Sequence, residues 1–256
     1  MPESTLHLER DGAVAELVLG GKRGALGPDA WNDLPRLLHG ARAARALIVR
    51  GAGADFSVGL DLARMAPALA SVRADERAFD ALIARMQEAV EALADFPAPV
   101  IAAVSGWCIG AGLELALACD VRVCDASARF SLPEVKLGIV SDLGGLGRLA
   151  HTVGEGWARR LALTGEAVDA ARAERIGLVS EVLPSPGDAL AQARKLAEDA
   201  AKLDARALDG VKRVMNGRVR EDMERHYREA RAWNVTHLDL GNVRLPNRPS
   251  VSVEEA

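Results

Sequence analysis

The chain has few cysteines, few aromatic residues and little excess charge. Its 256 residues include three cysteines, Cys108, Cys119 and Cys124, and no two of them are separated by two residues. This odd number predicts no disulfide framework and favours a reducing compartment, so we expect a cytoplasmic protein. The five histidines are scattered along the chain, so no metal site is predicted.

The net charge of −4 is too small to favour nucleic acid or an acidic membrane as a partner. No apolar run reaches the roughly 18 residues that a membrane span needs. The first residues also lack the basic and then apolar segments of a secretory signal. We therefore expect neither nucleic acid nor a membrane among the partners.

Apolar segments that alternate with helical patterns predict an α/β fold. The predicted strands are 13–20, 44–53, 99–112 and two short ones within 120–132. The predicted helices are 28–40, 75–96, 110–118, 144–150, 154–163, 169–176, 187–202, 204–216 and 219–238. The stretch LPSPGD marks the best internal boundary, because proline and glycine interrupt regular structure there. It divides the chain into a core of residues 1–186 and a helical region of residues 187–256 with a polar tail.

Two glycine-containing turns each come just before a helix. In the first, Gly59 lets the backbone approach a ligand closely and turns the N–H of Leu60 outward. In the second, Gly110 precedes the helix that begins near Ala111, whose free N–H groups and positive dipole end suit an anion. The alternatives are a plain strand-to-helix turn for the first and close packing of strand against helix for the second.

Three acidic residues stand in apolar surroundings. Glu114 lies in the first turn of a helix with apolar residues on all sides, and burial would raise its pKa while the helix N-terminus would lower it. Glu134 follows Pro133, and Asp142 lies eight residues further along. Such acids beside free N–H groups suit proton transfer next to a polarised carbonyl. The alternatives are a Glu114 that reaches solvent and an Asp142 that caps a helix.

Over residues 5 to 240 the chain resembles the enoyl-CoA hydratase/isomerase (crotonase) family. The resemblance is carried by segments in matching order and spacing: KRGAL, GAGADFSVGLDL, PVIAAVSGWCIGAGLELALACDVRV, FSLPEVKLGI, GGLGRL and ALTGEAVDAARAERIGLVSEVL. It implies a spiral of strand–strand–helix units with a helical C-terminal part that forms homotrimers or dimers of trimers. It also implies an acyl-CoA substrate, with coenzyme A as part of the substrate and no separate cofactor.

The resemblance assigns roles to individual positions. The N–H groups of Leu60 and Ala111 would form an oxyanion hole for the thioester oxygen, and Glu114, Glu134 and Asp142 would be catalytic. The substrate and CoA contacts would come from Lys22, Arg23, Ala25, Gly59, Asp61, Leu62, Gly110 and Lys212. Lys212 would reach the CoA of a neighbouring subunit. For Lys22, Arg23 and Lys212, a solvated charge is the alternative.

The spacing of the three acids indicates which reaction of the family to expect. Glu114 and Glu134 are spaced like the two glutamates of hydratases, whereas Glu134 and Asp142 are spaced like the acids of dienoyl-CoA isomerases. Further landmarks of that isomerase branch are Lys22, Arg23, Trp31, Cys119, Asp120, Arg122, Cys124, Trp233 and Asn234. We predict double-bond isomerisation of a dienoyl-CoA, with hydration of a 2-enoyl-CoA as the alternative. A non-catalytic acyl-CoA-binding or RNA-binding relative is a third, weaker hypothesis, motivated by basic residues between 206 and 220.

Overall fold

The computed structural model describes residues 5–72 and 75–237, and its strands form two sheets. The strands are β1 (Leu6–Asp11), β2 (Val14–Leu19), β3 (Ala46–Gly51), β4 (Val100–Val104), β5 (Trp107–Ile109), β6 (Val121–Asp125), β7 (Arg129–Ser131), β8 (Ala167–Asp169) and β9 (Glu181–Leu183). The large sheet has the order β1-β2-β3-β4-β6-β9, and the small sheet has the order β5-β7-β8. β1 pairs antiparallel with β2, and the rest of the large sheet is parallel.

Helices connect these strands and cover both faces of the large sheet. They are α1 (Ala30–Gly40), α2 (Leu62–Val72), α3 (Glu76–Ala94), α4 (Ala111–Ala118), α5 (Gly145–Thr164), α6 (Ala170–Arg175), α7 (Pro186–Ala201) and α8 (Ala205–His237). Strand and helix alternate, so the predicted α/β class is confirmed. None of the described helices is long and apolar enough to cross a membrane.

The apolar core lies on both sides of the large sheet. The larger cluster joins the sheet to α1, α3, α4 and α5, and includes Trp31, Phe56 and Phe130. The smaller cluster places Ala193 and Ala197 of α7 on the opposite face. Small side chains four residues apart on one helix face let α7 approach the sheet closely. The division of the chain near residue 187 stays a prediction.

Helix lengths differ from those predicted in two places. The predicted helices 144–150 and 154–163 form one element, α5, which is broken where Gly154 adopts a φ of 78° and a ψ of 159°. The predicted helices 204–216 and 219–238 form the single long helix α8. β1, β8 and β9 were not predicted, and β8 and β9 have three residues each, which is too short for an alternating pattern to stand out.

Candidate active site

The two glycine turns lie side by side because the chain around Ser57 pairs with β5. The Ser57 N–H donates to the Trp107 carbonyl at 2.9 Å, and the Ile109 N–H donates to the Ser57 carbonyl at 2.9 Å. A methyl group added to Gly59 would lie 2.8 Å from the Ile109 carbonyl oxygen and 3.4 Å from the Ala111 nitrogen. The two turns therefore form one small concave surface in which a side chain at position 59 would clash.

The N–H groups of Leu60 and Ala111 are free at this surface. Ala111 is the first residue of α4, so its N–H has no acceptor inside the helix. Leu26 accepts from Asp61 and donates to Gly59, which leaves the Leu60 N–H between them without a partner among the described residues. Two free N–H groups beside the positive end of a helix suit a negatively charged or strongly polarised oxygen.

Ser57, which the sequence did not single out, holds the first turn in place. Its side chain is fully buried, and Oγ accepts from the Gly59 N–H at 3.1 Å and donates to the Gly24 carbonyl at 2.7 Å. A methyl group at Gly112 would lie 2.6 Å from the Ser57 Cβ, so α4 packs tightly on this serine. The signal in the sequence was a small hydroxyl residue two positions before Gly59.

Glu114 is buried and ties α4 to the loop that precedes α5. It is 2% exposed, so a glutamate that reaches solvent is ruled out. Its Oε1 accepts from Ser141 Oγ at 2.7 Å, from the Leu143 N–H at 3.0 Å and from the Gly145 N–H at 2.8 Å. Burial raises the pKa of Glu114, and these three hydrogen bonds only partly offset that effect.

Glu134 lies against the start of α4. It begins a short 3-10 turn, Glu134–Leu137, directly after Pro133. A methyl group at Gly110 would lie 2.8 Å from Glu134 Oε1, so the carboxyl group occupies the space that a side chain there would fill. Its Oε2 is buried and has no hydrogen-bond partner within the described part of the chain. Burial raises the pKa of Glu134 well above its usual value, and the charges of Glu114 and Asp142 raise it further.

Asp142 does not cap a helix, so that alternative is wrong. α5 begins at Gly145, with Gly144 before it and no side-chain cap. Instead, Asp142 Oδ2 accepts from Asn234 Nδ2 at 2.7 Å, and the Asp142 carbonyl accepts from Gln87 Nε2 at 2.7 Å. Burial raises the pKa of Asp142 to about 7, and the Glu114 charge raises it while Asn234 and Arg231 lower it.

The three carboxyl groups form one electrostatically coupled cluster. Like charges in a buried site disfavour one another, so the pKa values of all three carboxyl groups are raised and the groups titrate as a set. Such a cluster contains a proton donor and a proton acceptor at the same time. The catalytic roles of these residues and of the two N–H groups remain predictions.

A second network of hydrogen bonds supports the loop 141–145 on the side opposite Glu114. Arg148 donates to Tyr227 Oη at 2.9 Å, and both side chains bind the carboxylate of Glu91. A methyl group at Gly144 would lie 2.3 Å from an Arg148 nitrogen and 2.7 Å from Tyr227 Oη. The loop is thus held between Glu114 on one side and side chains of α3, α5 and α8 on the other.

The residues expected to contact CoA lie in three different settings. Lys22 and Arg23 are exposed, and Arg23 forms a 2.6 Å ion pair with Asp55. Ala25 is buried close to the first turn, and Leu62 is the first residue of α2. Asp61 caps α2 by accepting from the Arg64 N–H at 3.1 Å.

Lys212 is engaged within its own chain. Its ammonium group pairs with Asp120 at 2.8 Å and donates to the Ala98 carbonyl at 3.1 Å, and its side chain is 9% exposed. These two contacts use two of the three N–H donors of the ammonium group, and contact with the CoA of a neighbouring subunit stays a prediction. Among the described residues, no group of three or more His, Cys, Asp or Glu side chains could hold a metal ion.

Comparison with known proteins gives a consistent result. The family model described as enoyl-CoA hydratase/isomerase matches residues 20–240. The mitochondrial Delta(3,5)-Delta(2,4)-dienoyl-CoA isomerase of Dictyostelium discoideum is 35% identical over 82% of this chain and 76% of its own length. The 2,3-dehydroadipyl-CoA hydratase of Escherichia coli is 41% identical over 66% of this chain and 62% of its own length. The crystal structure of an enoyl-CoA hydratase/isomerase from Xanthobacter autotrophicus superposes with a TM-score of 0.83 at 29% identity, covering 91% of this chain and 88% of that one.

Proposed function

The chain belongs to the enoyl-CoA hydratase/isomerase family, and on that premise we propose that it isomerises a 3,5-dienoyl-CoA to a 2,4-dienoyl-CoA by proton transfer. The observation that carries the proposal is the partly buried Asp142 carboxyl, which Asn234 holds near Glu114 and Glu134 and whose pKa is raised to about 7. A group of that pKa is present in both protonation states at neutral pH, as a proton shuttle requires.

The proposed reaction moves one proton and two double bonds. A carboxylate takes a proton from C2, and the electrons of that C–H bond form a C1–C2 double bond while the π electrons of the carbonyl move onto the thioester oxygen. The resulting enolate is conjugated with the C3–C4 and C5–C6 double bonds. When the carbonyl re-forms, the three pairs of π electrons shift along the chain and C6 takes a proton from a carboxylic acid, which leaves double bonds at C2–C3 and C4–C5. Glu134 and Asp142 divide these two roles, and the atoms of the substrate are conserved.

The turns at Gly59 and Gly110 stabilise the charge that develops on the oxygen. The free N–H groups of Leu60 and Ala111 are the proposed donors, and a donor of this kind is typically worth about 10²–10³ in rate. Ser57 orders the first turn before substrate arrives, so little reorganisation is needed when charge develops. Acid, base and oxyanion donors suffice for this chemistry, and we propose that no separate cofactor takes part.

Hydration of a 2-enoyl-CoA is the second candidate. It is favoured by Glu114 and Glu134, whose charges act on one another and which could both bind an attacking water. One oxygen of Glu114 already accepts three hydrogen bonds from the loop 141–145, so only its second oxygen is available for a water. This anchoring role favours isomerisation over hydration.

RNA binding has less support than either reaction. Of the basic residues of α8 that suggested it, Lys212 pairs with Asp120, Arg213 with Asp209 and Arg220 with Asp95. These ion pairs neutralise the positive charge that phosphates would need. A cytoplasmic location and assembly into homotrimers or dimers of trimers remain part of the proposal.

The proposed function is tested with 3,5-dienoyl-CoA, because the conjugated 2,4-dienoyl-CoA product absorbs in the ultraviolet. We expect the protein to form this product, and Asp142→Asn and Glu134→Gln to lower kcat by at least about 10²-fold, since each removes a proton carrier. Hydration of a 2-enoyl-CoA is measured on the same variants.

The control is Asp169→Asn, because Asp169 caps α6 by accepting from the Arg172 N–H and an asparagine caps equally well. The proposal fails if the wild-type protein forms no 2,4-diene, or if Asp142→Asn isomerises at the wild-type rate. Hydration becomes the better description if Glu134→Gln abolishes hydration while Asp142→Asn leaves it intact.

A further inference from the structure

The C-terminal helix α8 supplies a side chain to the catalytic cluster. Asn234 lies near the end of α8, is 2% exposed and contacts the loop before α5. Its Nδ2 donates to Asp142 Oδ2 at 2.7 Å and to the Val140 carbonyl at 2.8 Å, and its Oδ1 accepts from the Val140 N–H at 3.0 Å. Every polar atom of this amide is therefore engaged with the loop that carries Asp142.

The Val140 backbone fixes which way the amide faces. Val140 presents one donor and one acceptor to Asn234, so the oxygen of the amide must face the N–H and the nitrogen must face the carbonyl. One N–H of Nδ2 is used by the Val140 carbonyl, and the other is left for Asp142. With the opposite orientation, an oxygen would face both the Val140 carbonyl and the Asp142 carboxylate.

We propose, on the basis of the proposed isomerase function, that Asn234 is a positioning residue that holds the Asp142 carboxyl in its catalytic orientation. Asn234 acts through Asp142 and not on the substrate. The catalytic centre therefore includes α8 of the same chain, and residues 92 positions apart form one functional unit.

Charged groups reach Asp142 from several elements. Glu114 approaches from α4 and Glu134 from the 3-10 turn, and both disfavour a charge on Asp142. Arg231 approaches from α8 and favours it, although its guanidinium is engaged by Asp80 of α3 at 2.7 Å.

Three further polar side chains near Leu143 form hydrogen bonds with one another: Tyr227, Arg148 and Glu91. The amide of Asn234 is thus the described side chain that donates directly to the Asp142 carboxyl. A donor to a carboxylate stabilises its charged form, so losing this donor raises the pKa of Asp142.

The test compares Asn234→Leu with the wild type in the 3,5-dienoyl-CoA assay across pH. We expect kcat to fall about tenfold or more while KM changes little, because the substrate keeps its own contacts. In the plot of kcat against pH, the change that reports the titration of Asp142 should move to higher pH by about one unit or more. This direction holds whether Asp142 acts as the acid or as the base.

Asn216→Leu is the matched control. Asn216 lies on the same helix and donates to the Ala94 carbonyl at 3.0 Å, far from the carboxyl cluster along α8. We expect kcat of Asn216→Leu to depend on pH as it does in the wild type. Asn234→Asp is the second variant, because it keeps the size of the side chain and an acceptor for the Val140 N–H while it removes the donor. It should shift the titration of Asp142 at least as far as Asn234→Leu.

A readout without substrate separates this inference from the proposed function. The Asp142 carboxyl is titrated by infrared spectroscopy in protein labelled with 13C-aspartate, and its band is assigned by its loss in Asp142→Asn. Asn234→Asp is left out of this assay because it adds a labelled carboxyl group. A raised pKa in Asn234→Leu, with none in Asn216→Leu, supports the inference even if no isomerase activity is found.

The combined variant completes the test. In the Asp142→Asn background, Asn234→Leu should change the residual rate by less than about twofold, because two residues that act through one group are not additive. An unmoved Asp142 titration in Asn234→Leu overturns the inference, as does a large further loss of rate in the combined variant.

Discussion

At the scale of single residues, the Asp142 carboxyl makes the free energy of unfolding depend on pH. Its pKa rises from 3.8 to about 7 in the folded protein, so the folded state binds this proton more tightly than the unfolded chain does. The stabilisation is complete below about pH 4 and is lost as the pH rises towards 7. Ionised Asp142 therefore weakens the fold at and above neutral pH.

We expect Asp142→Asn to be more stable than the wild type at about pH 8, because asparagine carries no charge into the site. The gain in Tm should be a few degrees at about pH 8 and should approach zero only at about pH 4, where Asp142 becomes protonated in the unfolded chain as well as in the folded protein. Thermal unfolding followed by circular dichroism at the two pH values measures both differences.

The exposed Asp169 again provides the control, since Asp169→Asn should shift Tm equally at both pH values. A difference between Asp142→Asn and the wild type that does not change with pH would contradict a raised pKa. If Asp142→Asn is both more stable and less active than the wild type, the ionised Asp142 carboxyl serves the reaction and lowers the stability of the folded protein.

The sequence indicated the charged residues of the site better than the residues that hold them. Glu114 and Glu134 were noticeable because acids rarely stand in apolar segments. Ser57, Gln87 and Ser141 are small or neutral polar residues and gave no such signal, and Asn234 was noted only as part of a motif. Their roles depend on contacts between distant parts of the chain, which local patterns do not encode.

At the scale of secondary-structure elements, the start of α4 depends on Gly110. Its φ is 54°, and a methyl group there would lie 2.8 Å from Glu134 Oε1. We expect Gly110→Ala to lower kcat by about 10–10²-fold, because the clash displaces Glu134 and the strained backbone turns the Ala111 N–H away. Measurements of kcat would record the loss of rate, and urea unfolding would record the stability lost to the strained backbone.

Gly156→Ala is the corresponding control in a helix. Gly156 lies in α5 with no atom within 4 Å of an added methyl group, so alanine should stabilise the protein by about 0.5–1 kcal/mol and leave kcat unchanged. Full activity of Gly110→Ala would show that neither Glu134 nor the Ala111 N–H needs its present position.

The pattern of elements was predicted where residues alternate or repeat over long segments. β2 and β3 and helices α1, α3 and α4 lie within a few residues of the predicted bounds, whereas the predicted segment 99–112 contains two strands, β4 and β5. Two helices, 144–150 and 154–163, were predicted where the structure has the single element α5, and its break lies at Gly154 and not in the predicted gap. The continuity of α8 was not predicted, since its glycines and charged residues resemble a boundary in the sequence alone.

At the scale of the whole molecule, α8 carries an apolar stripe that residues 5–72 and 75–237 leave uncovered. Val211, Val214 and Met215 are 59%, 79% and 68% exposed and share one face of the helix. Single exposed apolar residues are common, but three on one face favour contact with another copy of the chain. This stripe supports the proposed assembly into trimers.

We expect the wild type to have the mass of a homotrimer or a dimer of trimers in light scattering, and Val214→Glu to shift it towards a single chain. A charge buried in an apolar interface without a partner is costly. Lys195→Glu, on α7, changes an exposed charge away from the stripe and should keep the wild-type mass. A monomeric wild type, or an unchanged mass for Val214→Glu, would rule out this stripe as the interface.

The loop 141–145 is held largely through its backbone. Glu114 binds the N–H groups of Leu143 and Gly145, Gln87 binds the carbonyl of Asp142, and Asn234 binds both polar groups of Val140. Most of these anchors would survive a change of the side chain at position 142. A single substitution can therefore exchange that side chain while the backbone of the loop keeps its place, and under the proposed function such a substitution would also change the reaction.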